Sequence, residues 1–151
     1  MRSKLELVRR TFVNMWKWYA LLSAFFAALT AILAKLGVRN VNTNIATAIR
    51  TLVILFITWG IVLIAGQLKQ VKELTKANLL FLVLSGVATG LSWLFYFKAL
   101  QTGDVSKVAP IDKLSVAIAM GLSVIFLGEQ LDAKTIIGGL LIVAGTLVII
   151  L

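Results

Sequence analysis

The sequence contains no cysteine and no histidine. Without cysteine there is no disulfide and no thiolate metal site, and without histidine the zincin, Ser-His-Asp and Cys-His constellations cannot be assembled. No Walker loop and no dinucleotide-binding glycine loop is present either, so an enzyme is not expected, and neither is a cofactor or a metal. Proline occurs once, at Pro110. Charge is also scarce: only 14% of the 151 residues are charged, and acids number 6 against 15 lysines and arginines.

What fills the chain instead is apolar. Hydrophobic residues make up 60% and the mean hydropathy is +1.01, far above a water-soluble domain of this length. The expected fold is an all-α integral membrane protein with five transmembrane helices in the lipid bilayer. The net charge of +9 raises the question of nucleic acid. The basic residues, however, sit in short segments beside the apolar runs, where membrane proteins carry them, and no nucleic-acid partner is expected.

Residues 1–17 form a basic leader. Leu5, Val8, Phe12 and Met15 recur at helical spacing, with Arg2, Glu6, Arg9, Arg10, Asn14 and Lys17 between them. Two readings stay open: an amphipathic helix lying on an anionic leaflet, or a solvated extension of the first span. The remainder, 18–151, reads as a single transmembrane domain. Its first span, 18–38, begins at an aromatic belt of Trp16, Trp18 and Tyr19 and carries an alanine-rich surface suited to close helix packing. Lys35 lies about one turn before its end, where snorkelling to the headgroups is the default and a site role the alternative. The second span, 45–66, holds Arg50 nearly two turns in. Arginine does not lose its proton in practice, so at this depth it needs a carboxylate, carbonyls or a wet cavity, which points to a functional or gating role.

Residues 67–78 read as a cytoplasmic loop. The third span, 79–100, contains Gly86 and Gly90 in a GxxxG arrangement, expected to permit close helix contact. Trp93, Tyr96 and Phe97 crowd its far end near Lys98, as an interfacial belt, a cavity lining or both. The stretch 107–134 is the one around which the rest is organised. Two adjacent charges, Asp112 and Lys113, precede a long apolar run, and a charge at bilayer depth costs about 2.5–3.5 kcal/mol on insertion scales, so the pair is not expected to be idle. Pro110 is predicted to fall in the first turn of this helix, where a missing N–H costs nothing. Asp112, Ser115 and Ala119 would then share one face. Gly128-Glu129-Gln130 ends the span, and the fifth, 133–151, places Gly138 and Gly145 seven residues apart as a second packing seam.

With the amino terminus inside, the inner face holds Arg2, Lys4, Arg9, Arg10, Lys17, Lys69, Lys72, Lys76 and Lys134, and the outer loops only Arg39 and Lys107. The count predicts N-in and C-out in the cytoplasmic (inner) membrane. Lys35, Arg50, Lys98, Asp112 and Lys113 then fall in the same outer half. Arg50 and Asp112 are expected close together, directly, through water or across a dimer.

These residues also carry a likeness. Trp93, Tyr96, Ala99-Leu100, the run 108–111 around Pro110, Leu127-Gly128-Glu129, Ile137-Gly138 and Gly145 follow one another in an order that resembles a five-helix unit of the EamA group, in the drug/metabolite transporter superfamily. The likeness spans Trp18 to Leu151. It implies one half of an inverted-repeat transporter, since many relatives are ten-helix chains with two oppositely inserted units around a central path. A single unit implies a homodimer, antiparallel in preference to parallel, although the basic-residue count argues for one orientation. The Asp112-Lys113 pair departs from the apolar pattern of longer relatives and, with Lys35 and Arg50, looks like a small single-unit subgroup. The expected function is secondary transport of a small metabolite, anionic or carboxylate-bearing, by alternating access. Arg50 and Asp112 would gate it; Lys35, Lys98 and Lys113 would make the cavity positive; Trp93, Tyr96 and Ser115 would line it. The alternative is a non-transporting membrane scaffold or accessory subunit whose buried charges lock helices together.

Overall fold

The computed structural model describes the backbone from Arg2 to Leu151 and the side chains from Met15 onward, so the amphipathic face expected in the leader lies, up to residue 14, outside the described residues. All regular structure among them is helical: α1 (Arg2–Gly37), α2 (Thr43–Ile64), α3 (Lys76–Thr102), α4 (Val105–Asp112), α5 (Leu114–Leu122) and α6 (Ala133–Ile150). Five segments are long and apolar enough to cross a membrane: Met15–Gly37, Thr43–Ile64, Lys76–Thr102, Val105–Leu127 and Ala133–Ile150. A short 3₁₀ segment, Gln67–Glu73, occupies the loop between the second and third.

The helices start where short polar side chains can take up orphan backbone donors. The Asn42 side chain accepts the Asn44 N–H at 2.9 Å, Thr75 accepts that of Asn78 at 3.1 Å, and Asp132 that of Thr135 at 2.9 Å. Hydrogen bonding from the Thr135 side chain and backbone holds the Asp132 carboxyl below the usual carboxylate range. Gly66 and Gly128 end α2 and the fourth span with φ of 67° and 66°, a left-handed turn that glycine makes without a Cβ penalty.

The fourth span departs from the continuous helix that the sequence suggested. Its helix begins at Val105, after Gly103-Asp104, so Pro110 sits in the interior of α4 rather than in its first turn. There the ring removes the N–H that would bond the Ser106 carbonyl and crowds that carbonyl. The ladder breaks three residues later. The Lys113 N–H bonds the Pro110 carbonyl at 3.0 Å, the Val116 N–H bonds the Lys113 carbonyl at 3.0 Å, and α5 restarts from Leu114. The span then widens into a π turn, Ser123–Leu127, before Gly128. Of the residues expected on one face, Asp112 is half-buried and Ser115 exposed. The buried Thr146 hydroxyl of α6 donates to the Ile142 carbonyl at 2.8 Å and lies 3.4 Å from the Pro110 carbonyl, tying α6 to the broken helix.

The closest packing lies at the end of the bundle where α1 and α3 finish and α2 and α4 start. Val38, Phe97 and Leu100 are buried there against Ala34, Ala46, Tyr96, Val105 and Val108. Most other large apolar side chains are exposed, as befits a surface that meets hydrocarbon instead of water. The packing seams expected at Gly86 and Gly90 and at Gly138 and Gly145 are not made within the single chain, since a Cβ at any of the four would meet nothing within 4 Å. The close approach falls at Gly139, where a Cβ would lie 2.8 Å from the Met120 Cε of α5.

Candidate functional site

Arg50 projects from the first half of α2 onto α3. Its guanidinium lies 4.0 Å from the ring centre of Trp93 and 5.2 Å from that of Phe97. Those rings are four residues apart on α3, hence on one face, and form an aromatic shelf beneath the cation. Ring contact satisfies the charge without using its N–H groups. Among the described residues Arg50 has no carboxylate within 4.0 Å, and no hydrogen bond from its side chain to the protein is formed.

Asp112 and Lys113 stand at the break in the fourth span, and this is the ion pair among the described residues, Nζ to Oδ2 at 3.3 Å. Their side chains remain 35% and 54% exposed, so the pair is not enclosed by the protein's own packing. Arg50, Asp112 and Lys113 all line one cavity of about 270 Å³, together with Ala27 and Thr30 of α1 and Ser92, Trp93 and Tyr96 of α3. Arg50 and Asp112 therefore share a cavity without a direct ion pair. No side-chain hydrogen bond to the protein is made by Thr30, Ser92 or Tyr96 among the described residues, which leaves their hydroxyls for water or a ligand.

Other singled-out residues lie elsewhere. The Lys35 ammonium donates to the carbonyls of Leu100 at 2.6 Å and Gly103 at 2.8 Å, so it caps the carboxyl end of α3. Lys98 and Ser115 are exposed and are absent from the cavity wall. The cavity thus sets two bases, Arg50 and Lys113, against one acid, Asp112, a smaller positive excess than four bases would give. Thr30 joins the wall unforeseen. Thr30 had a legible signal, a hydroxyl set into the alanine face of α1 between Ala27 and Ala34. Among the described residues no three acids, histidines or cysteines come together as a metal site.

The profile of the EamA-like transporter family matches residues 14–151. The chain belongs to that family. Over 134 residues it is 49% identical to a protein of a Sinorhizobium species described as an uncharacterized transporter in the cobO 3' region, covering 89% of this chain and 95% of that one. No solved structure matches the chain. EamA membership and the transporter relative, together with five membrane-length helices, support a membrane transporter in place of an enzyme. The EamA match takes in the whole cavity wall, from Ala27 to Lys113.

Proposed function

We propose that this protein is a secondary transporter that moves a small carboxylate-bearing metabolite across the cytoplasmic membrane by alternating access, as a homodimer. The observation that carries this reading is Arg50: a permanent cation within a membrane-length helix, resting on Trp93 and Phe97, with its donors unspent and a cavity beside it. A guanidinium in such a setting is stabilised by an anion that presents two oxygens to its edge. The Asp112-Lys113 pair can open to admit a second contact to the same anion and close again when it leaves. A scaffold would use its charges as Lys35 is used, on carbonyls of its own chain, and Arg50 is not used so.

Competition flux in proteoliposomes tests the charge preference. Matched anionic, zwitterionic and cationic solutes should rank with the carboxylates first, and a clear preference for organic cations would overturn the reading.

The homodimer we favour is antiparallel. The cavity sits toward one end of the bundle, and two oppositely inserted copies would put one near each membrane face around a shared path. An odd number of spans delivers that inversion. Against it stands the excess of basic residues on one side, which favours N-in and C-out. The absence of native cysteine makes the test clean. Gln70→Cys, in the loop before α3, should be labelled by an impermeant thiol reagent from both sides in comparable amounts. Labelling from the cytoplasm alone would defeat the antiparallel dimer.

A further inference from the structure

A second cavity, of about 450 Å³, adjoins the polar one. It lies between α1 and α2, and its wall is apolar, with Leu33, Val38, Val41 and Ile49 prominent in it. Two residues belong to both cavities: Thr30 and Arg50. The guanidinium is therefore a partition with a polar, charged cavity on one side and an apolar one on the other. From this juxtaposition we infer that the transported solute is an amphipathic monocarboxylate, its head held by Arg50 in the polar cavity and a compact apolar tail, aromatic or branched aliphatic, lodged between α1 and α2. The inference rests on the carboxylate-transporter reading and extends it from head group to tail.

Three arguments select this geometry. Arg50 is the cation that keeps its hydrogen-bonding capacity, whereas Lys113 already faces Asp112, so the head should settle at Arg50. A tail attached to a head at the partition reaches the apolar chamber without crossing any other charged group, because Arg50 is the one charged residue in that chamber's wall. A small hydrophilic anion would leave the chamber unfilled, and lodging a tail there removes the tail's own apolar surface from water at about 25 cal/mol per Å². A larger cleft of about 730 Å³ between α1 and α6 also meets the polar cavity, through Ala27, Tyr96 and Lys113. Its charged contact is the lysine that Asp112 already pairs, which makes it the poorer place for the tail.

The test uses full-length protein and four 2-hydroxy acids that share one head: glycolate, lactate, 2-hydroxy-4-methylpentanoate and phenyllactate. Binding is read as ligand-induced thermal stabilisation of detergent-purified protein, and transport as counterflow in proteoliposomes corrected for protein-free vesicles. Affinity should rise by about tenfold or more from glycolate to the two large-tailed acids. Leu33→Trp and Ile49→Trp, at half-exposed positions that fill the apolar chamber, should abolish this gain while leaving glycolate unchanged, which also shows that the variants are folded. Ala24→Leu, which fills only the α1/α6 cleft, should alter neither. Equal affinity for all four acids overturns the tail assignment and leaves the carboxylate reading standing. Loss of the gain in Ala24→Leu but not in the other two variants likewise overturns it. If none of the four binds, both readings fall.

Discussion

Proteoliposomes carrying Arg50→Met should show carboxylate flux reduced by about a hundredfold, the equivalent of roughly 3 kcal/mol for a desolvated charge-assisted contact. Methionine keeps an unbranched side chain over Trp93 and Phe97, so the aromatic shelf stays covered while the cation is lost. Arg50→Lys should fare little better. An ammonium is a point charge without the planar fork, and it cannot both lie on a ring and present two parallel donors to a carboxylate. Asp112→Asn tests the other side of the cavity. It leaves Lys113 without its partner at 3.3 Å and fixes the site in a more positive state, which binds the anion but does not release it. Flux should vanish while expression stays near normal, because the amide is nearly isosteric and the position is partly exposed. Full flux in both Arg50→Met and Asp112→Asn would reduce the cavity to a structural feature.

Lys35→Met should do the reverse: it should damage the fold and spare the rate. The ammonium donates to two carbonyls at 2.6 and 2.8 Å across a sequence separation of 65 and 68 residues, joining the end of α1 to the end of α3. Each hydrogen bond to a charged group contributes about 1.5–3 kcal/mol, and carbonyls stranded away from water add their own penalty, so the loss should be on the order of 3 kcal/mol. It should appear as a lower Tm in detergent and a lower yield of monodisperse protein. Flux per folded molecule should remain near that of the parent. A variant with an unchanged Tm and no flux would move Lys35 into the transport site. Lys35→Arg should recover part of the stability, since its fork can reach carbonyls but not with the same compact geometry.

The two lysine and arginine cases show where sequence reasoning succeeds in this chain. A cation inside an apolar run is legible as an anomaly, because its cost depends only on burial and charge. What it touches is not legible, because the answer lies on another helix. Lys35 and Arg50 are both cations inside apolar runs, yet one finds carbonyls on α3 and the other finds rings on the same helix. The five spans were equally readable, since length and hydropathy suffice for them. The break at Lys113 was not. The proline rule places a proline in a first turn, but Gly103 and Asp104 start α4 earlier, and the proline then falls where it disrupts the ladder. Asp112 and Lys113 line the cavity, and Ser115, read as a neighbour of Asp112 on a helical face, does not. Glycine spacing is a weaker guide for a related reason: GxxxG permits approach without requiring it, and within the chain the close helix contact is that of Gly139 with Met120.

The spans differ in length, and a bilayer responds to that. At a rise of about 1.5 Å per residue, α6 with its 18 residues extends about 27 Å and α3 with its 27 residues about 40 Å. The shorter helix sets the hydrocarbon thickness the protein tolerates, and the longer one has to lean or protrude to share it. α3 is the helix that bears Trp93 and Phe97, while the guanidinium above them belongs to α2. Hydrophobic mismatch with the host membrane is therefore a force on the angle between these two helices, and lipid chain length becomes a mechanical input to the arene–guanidinium contact.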